Sequence, residues 1–186
     1  MDQDRIKLAV VEIIKAIGDD PRREGLEGTP RRIAEMYSEL FSGIDIDPIE
    51  ELSVGFEEGH REMVVLKGIP FYSMCEHHFL PFFGSVDVGY LPNGRIVGIS
   101  KIARAVEIIS RRPQLQERLT TQIAETLATS LQPTGVGVVV RAEHLCITMR
   151  GAKKPGTTMI TSAVRGCFEE NEVTRSEFLS LISERN

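Results

Sequence analysis

Two short stretches hold most of the chain's metal-capable side chains and set the hardest constraint on its fold. Cys75-Glu76-His77-His78 puts one thiol and two imidazoles into four positions, and His144-Leu145-Cys146 adds one of each far downstream. The whole chain has only 3 Cys and 4 His, so these segments hold most of both. Each closes a run of strand-forming residues. A fold that uses them as one site must bring two strand ends together.

The surrounding pattern is mixed. Ile6, Ala9, Val10, Ile13, Ile14 and Ile17 recur at helical spacing up to Gly18. Thr29-Pro30 reads as an N-cap and first-turn proline for a second helix carrying Ile33, Met36, Tyr37, Leu40 and Phe41. Asp47-Pro48 repeats that signal for a short helix toward Leu52. From Glu62 the period changes. Met63–Leu66 and Ile69–Tyr72 read as strand leading into Cys75, and Phe82 to Leu91 as a second strand. Pro92-Asn93-Gly94-Arg95 is a hairpin-turn signal, with Ile96 to Ile99 expected as the partner strand.

Ser100 is the expected N-cap of a helix broken at Pro113, and a second long helix is expected over residues 114–131. Strands are expected over residues 135–141, 144–150 and 157–164. Thr174-Arg175-Ser176-Glu177 reads as a capping box for a last helix with Phe178, Leu181 and Ile182. The order points to an α+β fold, with an N-terminal helical region over 1–55 and an α+β domain over 56–186.

Composition narrows the function. A net charge of −5 and a pI near 5.5 give no support for nucleic acid or an anionic membrane as partner. The charged start Met1-Asp2-Gln3-Asp4-Arg5 does not look like a signal peptide, and no run reaches membrane-spanning length. The odd, sparse cysteines suit thiols kept reduced and used as ligands, so the expected compartment is the cytoplasm.

Cys75 and His78 are spaced to chelate one ion, with Cys146 as a third ligand. Thiolate and imidazole together suit zinc, and three protein ligands leave a position for water, as catalytic sites do. In that arrangement His77 and His144 are non-ligand imidazoles, suited to proton transfer. Alternatives stay open: His77 or His144 as the fourth ligand of a structural zinc, or a Cys75–Cys146 disulfide. Cys167 lies in an apolar context, and His60 in a polar loop reads as surface.

Lys101 and Arg104, one turn apart at a helix start near Ser100, form a candidate anion site, with Arg150 four residues past Cys146. Each alone is equally readable as a solvated surface charge. Gln116-Glu117 lies between Arg112 and Arg118, where the bare sequence favours an ion pair for Glu117 over a bound guanine edge.

Taken together, several segments resemble the GTP cyclohydrolase I family, of its zinc-dependent type IA. They are Phe71-Tyr72-Ser73-Met74-Cys75-Glu76-His77-His78-Phe79, Gly98-Ile99-Ser100-Lys101-Ile102-Ala103-Arg104 and Arg112-Pro113-Gln114-Leu115-Gln116-Glu117-Arg118-Leu119-Thr120. His144-Leu145-Cys146, Thr29 to Tyr37 and Thr174 to Leu179 match as well. The resemblance implies hydrolysis of GTP to 7,8-dihydroneopterin triphosphate and formate, the opening step of folate or pterin biosynthesis.

It also implies zinc on Cys75, His78 and Cys146, with His144 and His77 moving protons. Gln116 and Glu117 would hold the guanine edge. Ser100, Lys101, Arg104 and Arg150 would bind triphosphate, with Arg32 reaching in from a neighbouring subunit. The implied fold is the tunnelling fold, an antiparallel sheet with two packed helices, closed into a barrel across the subunits of a homodecamer. Glu35 departs from members with a phosphate-binding lysine there. Competing readings are a relative with altered pterin or deazapurine chemistry, and a non-catalytic scaffold with structural zinc.

Overall fold

In the computed structural model, which describes residues 1–183, the chain divides into two compact units, Met1–Ser42 and the remainder from Gly43. This division falls earlier than the expected 55/56 boundary. In the first unit, α1 (Gln3–Ala16) is capped by the Asp2 carboxylate, which accepts from the Arg5 amide. It buries Val10 and Ile14, while α2 (Thr29–Leu40) buries Ala34. Thr29 is not the cap expected of it. The Gly28 carbonyl already accepts from the Arg32 amide, so Gly28 takes the cap position and Thr29 is the first helical residue.

The second unit opens with α3 (Pro48–Leu52), capped by Asp47 Oδ1 on the Ile49 amide at 2.9 Å. Then come β1 (Gly55–Glu57), β2 (Val64–Cys75), β3 (Pro81–Leu91) and β4 (Arg95–Val97). The helix α4 (Ile99–Ser110), a two-residue strand β5 (Pro113–Gln114) and α5 (Gln116–Leu131) follow. The chain closes with β6 (Gly135–His144), a helical turn α6 (Leu145–Thr148), β7 (Thr158–Gly166), α7 (Cys167–Glu170) and α8 (Glu172–Ser183).

The main sheet runs β5-β2-β3-β6-β7, antiparallel except for the short β2–β5 pairing. The α+β expectation holds. Because β3 pairs with β2 on one side and β6 on the other along nearly its full length, it has no edge left for a hairpin partner. So β4, expected to return on β3, pairs with β1 instead. Among the described residues, β7 has a strand on one side only, and residues 64–73 of β2 likewise.

Alternation decides the two sheet faces. Val86, Val88 and Tyr90 of β3 and Val136, Val138 and Val140 of β6 are at most 1% exposed and share a core with Ile102, Val106, Leu119, Ile123 and Leu127 of α4 and α5. Val139, one position out of phase, belongs to a second cluster with Phe168, Phe178 and Ile182. There the cross-strand pair Gly89 and Gly137 makes room for rings. A Cβ on Gly89 would lie 2.5 Å from Phe178, and one on Gly137 2.9 Å from both Phe168 and Phe178.

A bulge interrupts β2, where the register shifts between Leu66 and Ile69 and Gly68 adopts φ +73°. The Asp87 carboxylate, buried opposite the bulge, accepts from the Gly68 amide at 2.8 Å and pairs with Arg141. The amide that the bulge frees from the ladder is thereby satisfied.

Four further boundaries differ from expectation. Gly98 caps α4 with extended backbone, and its carbonyl accepts from the Lys101 amide, so Ser100 lies inside the first turn. Gln114 is strand rather than helix. The segment expected as a strand from His144 to Arg150 is strand only at His144, then the helical turn α6. At the C-terminal end, Asn171 Oδ1 accepts from the Val173 and Thr174 amides, so it opens α8 and Thr174 lies within the helix.

Candidate metal centre

The site forms where the β2–β3 hairpin turn meets the end of β6. Register brings them together, since Phe82 at the start of β3 pairs with His144 at the end of β6. The turn is tight. The Cys75 amide donates to Leu80 O at 2.9 Å, the Cys75 carbonyl accepts from the Phe79 and His78 amides, and Phe79 adopts φ +49°. Two outside contacts fix it further. The Glu76 amide donates to Gln114 O at 3.0 Å, and the Arg118 guanidinium grips both Glu76 carboxylate oxygens at 2.5 and 3.1 Å. Gln114 is only 1% exposed, its carboxamide donating to Ile109 O and Gln122 Oε1.

This turn presents Cys75 and His78, with Sγ and Nδ1 3.7 Å apart, and α6 brings in Cys146. One donor atom from each of the three lies within 4.8 Å of the others. Both cysteines are buried free thiols, so the disulfide alternative is not what the structure contains. Burial and the neighbouring Cys75 push the Cys146 thiol above its usual range, with Arg150 acting weakly the other way. Two thiols crowded together and desolvated are costly to ionise unless a cation is present, and two thiolates with one imidazole form a donor set suited to zinc. The residues fit that metal.

His144 stands beside the triangle without belonging to it. Its ring lies flat on Phe82, centroids 4.6 Å apart and planes at 3°. Its Nε2 is 2.8 Å from Gln116 Oε1. Burial pushes its pKa below the ordinary value, and the charge of Glu117 opposes that. His77 is exposed, edge-on to His78.

The Gln116 side chain is buried and hydrogen-bonded within the chain. It is 1% exposed, and its Nε2 is 3.1 Å from each of Val140 O, Met159 O and Thr161 Oγ1. Thr120 Oγ1 donates to Gln116 O and meets Thr161 Oγ1 at 2.6 Å, closing the network. The carboxamide expected at a guanine edge is thus hydrogen-bonded within the chain, to His144, Val140, Met159 and Thr161. The signal was in the sequence: Gln116, Leu119, Thr120 and Ile123 lie at i, i+3, i+4 and i+7, so Gln116 shares the buried face of α5.

Glu117 is exposed beside it. The arginines expected to pair with it are committed elsewhere: Arg112 donates to Gly43 O and Ile46 O, and Arg118 to Glu76. Ser100, Lys101 and Arg104 lie in the first turns of α4, with Lys101 Nζ 3.1 Å from Glu51 Oε2. Arg150 folds back toward Cys146 O at 3.4 Å. Arg32 is exposed on α2 in the first unit, where Glu35 pairs with Arg31.

Known proteins resemble the chain closely. The GTP cyclohydrolase I family model matches residues 6–183. A Dehalococcoides mccartyi protein named GTP cyclohydrolase 1 is 59% identical over 187 residues, covering 100% of this chain and 99% of that one. Proteins of the same name from Halalkalibacterium halodurans and Streptococcus agalactiae are 56% and 52% identical, covering 97% or more of each chain. Among solved structures, an apo archaeosine synthase QueF-Like aligns at 20% identity and a TM-score of 0.45, covering 59% of this chain and 97% of that one. No described helix is long and apolar enough to cross a membrane. With the family pattern running through both halves of the Cys75-His78-Cys146 triangle, the chain belongs to the GTP cyclohydrolase I family.

Proposed function

We propose that this chain hydrolyses GTP to 7,8-dihydroneopterin triphosphate and formate in the cytoplasm, opening folate or pterin biosynthesis. The observation that carries the reading is a three-donor metal triangle with a supported, non-ligand imidazole beside it. A structural zinc site would have no use for that second imidazole.

Cys75, His78 and Cys146 would hold zinc, and the metal would supply the Lewis acidity that brings a water toward ionisation near neutral pH. The chain's own groups do the rest. Because the Gln116 amide donors go to carbonyls and Thr161, Oε1 is the acceptor facing His144, and the His144 Nε2 carries its proton there. His144 Nδ1 is then the atom that exchanges a proton with the imidazole ring of guanine. His77 assists opening of the ring and the ribose. Glu117 offers two carboxylate oxygens to the guanine N–H edge. Ser100, Lys101, Arg104 and Arg150 bind the triphosphate, with Arg32 from a neighbouring subunit. After formate leaves, an Amadori-type rearrangement of the opened ribose and ring closure give the pterin.

The open edges of β7 and β2 support closure of the sheet with other copies, in a tunnelling-fold barrel of a homodecamer with active sites at subunit interfaces. The test is a formate and pterin-absorbance assay on GTP with zinc content measured in parallel. Zinc-loaded protein should release formate and pterin together. No formate from fully loaded protein would overturn the reading.

A further inference from the structure

We propose that Glu51 is a built-in counter-anion of the triphosphate site, holding the cations that substrate phosphate must take over. The inference rests on the seating of triphosphate at Lys101 and Arg104 described above.

A single carboxylate oxygen reaches both cations. Glu51 Oε2 is 3.1 Å from Lys101 Nζ and 3.9 Å from Arg104 NH1. Lys101 and Arg104 lie one turn apart on α4, so an anion between them is the arrangement that their spacing favours. The carboxylate therefore stands where a phosphate oxygen would.

The backbone that carries Glu51 is held in place, because its short helix is tied at both ends. Asp47 caps the start of α3, Leu52 is 0% exposed in the main core, and Arg95 NH2 donates to Ser53 O just past the end. The Glu51 and Lys101 side chains are 29% and 27% exposed, which shields the pair from water more than a fully solvated one. The neighbouring Glu50 is exposed and lies outside this ion pair.

Two consequences follow from one charge. In the free protein, Glu51 pairs closely with Lys101 and draws the more exposed Arg104 toward the same point. On binding, it opposes the incoming phosphates, so an anion must carry enough charge to win the cations from it. Glu51 thus favours a triphosphate over a singly charged anion at the same place. Its removal should strengthen triphosphate binding rather than weaken it.

The experiment is calorimetric titration of the zinc-loaded chain with inorganic tripolyphosphate in magnesium buffer, comparing wild type, Glu51→Gln, Glu50→Gln and Lys101→Gln. Glu51→Gln should bind about fivefold more tightly, as expected for loss of one nearby partly shielded charge. Glu50→Gln makes the same change in net charge on the same helix and should stay within about a factor of two of wild type. Its KM for GTP should likewise stay near wild type, while that of Glu51→Gln falls. Equal gains in both variants would mean a general charge effect and overturn the proposal. If Lys101→Gln weakens binding while Glu51→Gln leaves it unchanged or weaker, the phosphate site stands and the counter-anion role falls. If Lys101→Gln matches wild type, the seating of triphosphate at Lys101 fails, and this inference with it.

Discussion

The two sides of the site are built differently. Around the metal triangle the supporting turn and His144 are cross-tied. The Cys75–His78 turn is closed by its own backbone, anchored on Gln114 and clamped by Arg118, and His144 is fixed between Phe82 and a buried carboxamide. On the anion side, Arg104, Arg150 and Ser100 are exposed, and the strongest tie is one ion pair to Glu51. Chemistry needs atoms held to within fractions of an ångström, whereas a flexible polyphosphate can be met by long side chains that adjust. Substitutions on the first side should therefore strike turnover, and those on the second should strike affinity.

The sharpest break is Cys146→Ala. It removes one of three donors, so zinc content should fall toward zero and turnover by about a thousandfold or more. His144→Ala should keep its zinc and lose roughly 10²- to 10⁴-fold in kcat, the range for a proton-transfer group. Metal analysis beside the rate separates the two.

Gln116→Ala tests whether support counts as much as contact. It removes a donor to the Val140 and Met159 carbonyls and the acceptor that faces His144. Stability should drop by about 1–3 kcal/mol in chemical denaturation. The kcat should fall roughly 10- to 100-fold, as for loss of a group that orients a catalytic side chain. The KM should hold. A rise in KM with kcat intact would instead put the carboxamide on substrate.

On the anion side, Lys101→Gln should raise KM for GTP about tenfold with little change in kcat, the effect of losing one hydrogen bond to a charged group. A fall in kcat there would erase the contrast. The mildest change is Arg118→Gln, at an outer clamp on the metal side that is not itself one of the donor or proton-transfer groups. Its ion pair with Glu76 is exposed and the turn keeps its backbone bonds, so kcat/KM should stay within about threefold of wild type.

The sequence showed the metal-capable cluster because thiols and imidazoles are scarce and grouped, and it showed the central strands because alternation is a local pattern. It missed what depends on who else is nearby. The partner of β4 could not be read from its turn residues, since that choice turned on β3 having both edges filled. Thr29, Ser100 and Thr174 all carry good capping side chains, yet Gly28, Gly98 and Asn171 take the cap positions because the first intrahelical bond or amide acceptor falls earlier. The burial of Gln116 was not foreseen, because a polar residue beside Glu117 suggested an exposed one. Its helical phase with Leu119 and Ile123 was the better guide.

The placement of His144 has a consequence for how this protein can change over generations. Val136, Val138, Val140 and Ala142 all turn into the main core, and His144 completes the same parity at the strand's end. Point substitutions along β6 trade one apolar side chain for another and leave that parity alone. A single codon gained or lost between Val140 and His144 would rotate the imidazole to the opposite face of the sheet, away from Gln116 and Cys146, with the apolar core scarcely altered. Lineages can therefore drift in the composition of this strand more freely than in its length, because a frame-preserving indel there would leave the apolar core in place and part His144 from Gln116.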